Sequence, residues 1–189
     1  PDTVLEEATR RKMSPKMLCA FKDGTKTMVE MTAMSNYTGL IPDVIGGHGP
    51  KTAPGTEGIK ELNEIFKLKE DGGILNKHGV VEYVNGIAPG VFVTVSTPNA
   101  EIAYQLGYHS MGPGPLWTLY RPYHLCNLET PLSVARAVIE GDATCVAKDG
   151  LVSECITRAK IDLKAGQTID GIGGYTTHGS IATAEESNA

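Results

Sequence analysis

Cysteine is scarce in this chain and poorly spaced for a framework. Cys19, Cys126, Cys145 and Cys155 include no C-x-x-C pair. That excludes a paired-cysteine zinc site and a small disulfide scaffold, and reduced thiols in a cytoplasmic protein are expected instead. No window approaches 18 consecutive apolar residues, so no membrane-spanning helix is expected. The opening PDTVLEEATRRK is charged and has no apolar run of the kind a secretion signal needs. An excess of positive charge is also lacking. The net charge is −5, which argues against a nucleic-acid partner. Nucleotide and hydrolase motifs are absent as well: GIGGY (171–175) and GGHGP (46–50) match neither dinucleotide nor phosphate loops, and no H-E-x-x-H or G-x-S-x-G occurs. With 189 residues, 41% hydrophobic and 21% charged, the chain is large enough for one sizeable domain or two small ones. Its start at Pro1 and its unfinished close, GSIATAEESNA, lead us to expect a piece of a longer protein.

Aromatic residues are few, one Trp, three Phe and seven Tyr, yet PLWTLYRPYHLCN (115–127) gathers three of them, Trp117, Tyr120 and Tyr123, with His124 around Arg121. Pro122 holds Arg121 extended, which suits a guanidinium gripping phosphate or carboxylate with two bonds. Tyr123 stands beside it, and His124 is a candidate acid or hydrogen-bond donor. The bland alternative is a buried strand in which Arg121 makes a structural ion pair and His124 is satisfied in the core.

A second constellation is FKDGTKTMVE (21–30). Lys22, Asp23, Lys26 and Glu30 fall at an expected strand end and helix start, where free amides and the helix dipole favour anions. Lys22 and Lys26 either hold a substrate anion or are solvated turn residues. Glu30 either joins them or merely completes a capping box with Thr27.

Periodicity gives a coarse map. Met17 to Phe21 is a short apolar run. Met28, Met31, Ala33 and Met34 recur at helical spacing, with Gly39 as the stop. A helix is expected from Thr56 with Ile59, Leu62, Ile65 and Phe66 on one face, running to about Lys69. VVEYVNG and VFVTVST read as two strands joined through 86–90. Asn99 caps AEIAYQLG, and a strand follows at 116–120. A helix is capped at Thr130 with Pro131 at its first position and Gly141 past its end. After residue 145 the texture becomes strand and turn. The expected class is α+β: a mainly antiparallel sheet with helices on one face over 1–148, and a small β-rich module over 149–189, with the turn AKDG (147–150) near the boundary.

FKDGTKTMVEM, LYRPYHL, TPLSVARAVIEGD and AKIDLKAGQTIDGIGGYTTHG together resemble the homoserine-dehydrogenase-like oxidoreductases that carry a SAF domain. Within these the chain is similar to the 1-deoxy-D-xylulose 5-phosphate reductoisomerase-like (DXR-like) enzymes. The resemblance implies a central catalytic and dimerisation domain, 1–148, followed by the start of a SAF-like β domain, with no counterpart of the family's N-terminal Rossmann domain. It implies NADPH or NADH, bound mainly by that further domain, and leaves a place for Mg or Mn. The substrate would be a small phosphorylated sugar or a related acid or aldehyde, and the chain alone would be inactive. On this reading Lys22, Lys26 and Glu30 are catalytic and Arg121, Tyr123 and His124 bind substrate. The protein is expected to be a cytoplasmic homodimer, and the apolar strand 91–95 is one candidate for pairing across a two-fold axis. The alternative is a SAF-type ligand-binding module without catalysis.

Overall fold

The computed structural model describes residues 1–188 apart from 88, 125 and 149. Within them the chain is α+β, and it divides into two compact units: residues 1–47, 79–82 and 145–189 form the first, and 48–78 with 83–144 the second. No helix among the described residues is long and apolar enough to cross a membrane.

In the first unit, α1 (Leu5–Arg10), α2 (Pro15–Lys22) and α3 (Thr25–Thr38) follow one another with tight turns. The apolar run 17–21 lies inside α2, not in a strand: Ser14 is extended and Pro15 takes the first helical position, where its missing N–H costs nothing. Leu18 and Cys19 of α2 bury against Val4 and Ala8. The Thr27/Glu30 capping box does not form, because α3 begins two residues earlier. Gly24 is left-handed at φ 84°, and the Asp23 carboxylate accepts from Thr25 N at 2.9 Å, which supplies the first turn with its cap. Gly39 closes the helix at φ 77°, as its position predicts.

The buried face of α3, Thr25, Met28, Met31 and Ser35, packs against an antiparallel hairpin of β5 (Ser153–Ala159) and β6 (Thr177–Thr183). Two residues tie the layers together. Thr25 Oγ1 accepts from Gly179 N at 3.0 Å, and a side chain at Gly179 would put its Cβ 2.8 Å from Cys155 Sγ, so glycine permits the close approach. The Asn36 carboxamide accepts from Val152 N (2.7 Å) and Ser153 N (3.0 Å) and donates to Ser153 O (3.0 Å). Beyond β6, Gly46 N donates to Ile181 O. β1 (Ile41–Pro42) and β2 (Val80–Val81) make a two-residue parallel pair, and α7 (Ala184–Ser187) closes the unit with a capping box from Thr183 and Glu186.

The second unit is built on β3 (Val91–Val95) paired antiparallel with β4 (Trp117–Arg121). The expected hairpin between VVEYVNG and VFVTVST is therefore not made. Only Val80 and Val81 of the former are strand, and they turn to β1 in the other unit; of the expected connection, residue 88 lies outside the described residues. One face of β3–β4 is covered by α4 (Gly55–Ile65). Phe66 stacks on Phe92 at 5.6 Å, Thr118 Oγ1 donates to Asn63 Oδ1 at 2.7 Å, and Leu62 is fully buried. α4 stops four residues before Lys69 because the chain folds back and Ile74 N donates to the Ile65 carbonyl. Asn99 caps α5 (Ala100–Tyr108), accepting from Glu101 N and Ile102 N. α6 (Cys126–Ala135) begins before Thr130, so Pro131 stands inside the helix and not at its first position. A π-helical turn over 136–140 carries the chain to Gly141 at φ 65°.

Candidate functional site

Two groups of side chains answer to the sequence-predicted site, one in each unit. In the first, the α2–α3 turn places Lys22, Asp23, Lys26 and Glu30 in succession. Lys22 is held in an ion pair with Glu7. Lys26 sets its ammonium 4.2 Å from the centroid of the Phe21 ring, a cation–π contact that leaves its outer face to an anion. Glu30 is exposed one turn further along, at the i,i+4 spacing that brings it to the same face as Lys26.

Asp23 is bound from several sides. Lys160, just past β5, donates to Asp23 Oδ2 at 2.6 Å, to Gly174 O at 2.9 Å and to Cys19 Sγ at 3.7 Å. The Cys19 thiol itself points at Asp23 Oδ2 at 3.9 Å. Burial pushes the Asp23 carboxyl up, but the bonds from Lys160 and Thr25 more than reverse it, and its pKa lies below the ordinary value. For Lys160, burial opposes the ammonium and Asp23 outweighs burial, so its pKa is raised. With Oδ1 on Thr25 N and Oδ2 on Lys160, Asp23 is a positioning group, and the three Lys160 protons are already directed. Lys160 carries no local signal in the sequence: it stands 137 residues from Asp23, inside a stretch whose pattern reads only as strand and turn.

Beside this cluster, the Asp170 carboxylate accepts from the Thr176 hydroxyl, from Tyr175 N at 2.5 Å and from Thr176 N at 3.0 Å. These bonds hold its pKa down at about 2. Tyr175 donates its hydroxyl proton to Asp2 at 2.8 Å, fastening the GIGGY turn to the first residues of the chain.

In the second unit, the β3–β4 register opposes Arg121 to Val91. The Arg121 guanidinium is paired with Glu129 of α6 and lies 4.7 Å from the Tyr123 ring centroid. The Glu129 bond is the main reason its pKa is raised, with Tyr123 assisting. Tyr123 is exposed, and His124 Nδ1 lies 3.4 Å from Cys126 Sγ; Leu125, the last residue of YRPYHL, lies outside the described residues. The other aromatics of the segment have structural partners. Trp117 is buried and donates to Gly112 O at 3.2 Å, while Tyr120 OH donates to Ile87 O at 3.0 Å. The structure thus gathers Arg121 and Tyr123 with Glu129 in one unit; in the other it joins Asp23 to Lys160, while Lys22 turns to Glu7 and Lys26 to Phe21.

Neither implied cofactor has its full set of holding groups here. Among the described residues no three His, Cys, Asp or Glu side chains come together as metal ligands. Among the described residues, the parallel pair β1–β2 spans two residues in each strand and opens no helix-capped phosphate cradle of the dinucleotide-binding kind.

The helix-start cluster and the Arg121 strand both fall in a stretch of chain with a defined family. The model of the oxidoreductase DRL catalytic domain matches residues 1–130. That covers more than half of the chain, and the chain belongs to this family: it is an oxidoreductase catalytic domain. No curated protein sequence matches it.

Proposed function

We propose that this domain serves an NAD(P)H-dependent oxidoreductase of the homoserine-dehydrogenase-like, DXR-like kind, with residues 149–189 belonging to a SAF-like module. Its substrate would be a small phosphorylated sugar or a related acid or aldehyde, and a reductoisomerase step toward isoprenoid precursors is the most specific form of the proposal. The observation that carries it is the family match, which spans the lysine-bearing start of α3 and the Arg121 strand alike. Lys26 is the cation best disposed toward a substrate, because Lys22 is engaged by Glu7 and Lys160 by Asp23. Lys26 draws the anionic group, Lys22 adds positive potential, and Glu30 orients Lys26 from the next turn of the helix. In the other unit, taken by itself, Arg121 is the cation that can take an anionic or carbonyl oxygen when it exchanges its Glu129 bond, and Tyr123 and His124 offer hydrogen bonds to hydroxyls.

The test is binding of a panel of sugar phosphates, hydroxy acids and aldehydes to the 189-residue protein, measured by calorimetry in the presence and absence of Mg or Mn, because the chain alone is expected not to turn over. For the ligand that binds, Lys26→Ala is expected to weaken Kd by about 100-fold, in line with the loss of ~3 kcal/mol of charge-assisted binding. Unchanged affinity in that variant would refute the assignment of Lys26.

A further inference from the structure

The four thiols of the chain meet four different surroundings. Cys19 is buried, with Lys160 and Asp23 against it. Cys155 is half-buried on β5, and burial pushes its thiol pKa up. Cys145 is exposed, with its Sγ 4.0 Å from the Ala33 carbonyl. Cys126 is exposed as well, but its Sγ lies 3.4 Å from His124 Nδ1. A nucleophile and a base thus stand within hydrogen-bonding reach of each other, in a position open to a reagent from solvent.

The chain around this pair is arranged to support negative charge on an attacking sulfur. Cys126 is the first residue of α6, where unpaired amides and the helix dipole favour an anion. The Thr130 hydroxyl donates to the Cys126 carbonyl at 2.7 Å and secures that first turn. Glu129 stands three residues after Cys126 and so shares its face of the helix. That carboxylate would oppose an anionic sulfur, but it is paired with the Arg121 guanidinium, which answers its charge and brings a cation to the same face. The Tyr123 ring, with the guanidinium 4.7 Å from its centroid, adds a flat wall beside the cation. Thiol, base and cation come from residues 121–129 of the second unit alone.

We propose that Cys126 is a thiol-exchange site that forms reversible mixed disulfides with small carboxylate-bearing disulfides, with His124 as its base and Arg121 as the anchor for the carboxylate. His124 Nδ1 takes the Cys126 proton, and the sulfur attacks one sulfur of the incoming disulfide in line with its S–S bond. That bond breaks as the new one to Cys126 forms. The other half leaves as a thiolate and takes the proton back from the imidazolium. The incoming disulfide is the oxidant: one of its sulfurs departs as a thiol while Cys126 is oxidised, and a small thiol reverses the step. The retained half sets its carboxylate on Arg121, which withdraws that cation from a substrate while the cap is in place. This last consequence rests on the role proposed for Arg121 above; the exchange itself does not, and its test uses no turnover.

The test follows labelling of the 189-residue protein by two disulfides, the dianionic dithiobis(nitrobenzoate) and the uncharged dithiodipyridine, with peptide mass mapping to read each thiol separately. Cys145, exposed and in the same molecule, is the reference. Cys126 is expected to react about tenfold or more faster than Cys145 with both probes. His124→Gln should remove that advantage for both. Arg121→Gln should slow the dianionic probe by about fivefold at low salt and leave the uncharged one unchanged, while Arg121→Lys keeps most of the rate. Labelling of Cys126 no faster than Cys145 would overturn the proposal, as would indifference to His124→Gln. Equal slowing of both probes by Arg121→Gln would refute the anchoring role, because a lost charge acts on the anionic probe alone.

Discussion

Replacing Lys160 by Met removes the ammonium that binds Asp23 while keeping most of the side-chain volume. The pair is neither at the surface nor in the deep interior: the two side chains are 19% and 13% exposed. Exposed pairs are worth ~0–1 kcal/mol, and removing one partner of a fully buried pair costs ~3–5 kcal/mol, so a loss of ~2 kcal/mol is expected at pH 7. The pH dependence gives the sharper check. Asp23 titrates below its ordinary value in the folded protein, so its contribution is complete above about pH 4 and is lost as pH falls through the folded value. Lys160 titrates above its ordinary value, so its contribution is complete below about pH 10 and fades only as pH rises through the folded value. The gap between wild type and Lys160→Met should thus be flat from mildly acidic to mildly alkaline pH and close in strong acid, where Asp23 takes up a proton in both proteins. Urea unfolding at pH 7 and about pH 2.5 measures it. Adding Asp23→Asn should cost the variant little further, because the two changes remove one interaction. A gap under about 0.5 kcal/mol at pH 7, or one that does not narrow in acid, would refute this account of the cluster.

Two further changes test how the layers are held. Asn36→Ala removes three bonds to the start of β5 and should destabilise by ~2–3 kcal/mol, with hydrogen exchange at the amides of Val152 and Ser153 accelerating first. Gly58→Ala adds a good helix former to α4, yet its Cβ would run into the Ala53 carbonyl and lie 2.6 Å from Ile87 Cγ2; we expect a net loss of ~1–3 kcal/mol by denaturant titration, not the gain of ~1 kcal/mol that helix propensity alone would give.

What the sequence disclosed follows the range of the interactions involved. Gly39, Asn99 and Gly141 act through bonds to their immediate neighbours, and each terminates or caps its helix where the residue pattern places it. The strands 91–95 and 117–121 were legible from their β-branched and aromatic residues, as was the texture of 153–183. Partner choice was not. Val80 and Val81 look ready for a hairpin with 91–95, but nothing in two valines says that Ile41 and Pro42 are the strand beside them. At the start of α3 two caps competed, and Asp23 prevailed over Thr27 because Gly24 reaches the left-handed region that starts the helix two residues sooner. Arg121 and Lys26 were legible as charges in structured contexts, whereas Glu129, Glu7 and Lys160, which decide what those charges and Asp23 are free to do, come from other elements.

The link between Asn36 and Ser153 spans 117 positions of chain, and that separation has a bearing on biosynthesis. At a translation rate of roughly 5–20 residues per second, α3 emerges some 6 to 23 seconds before the hairpin that covers Met28 and Met31. During that interval a nascent helix carries an uncovered methionine face while the β3–β4 unit, whose partners lie closer together, has time to close. The first unit can be finished only after Thr183 at the end of β6 has left the ribosome, which makes α3 the natural place for a chaperone to hold.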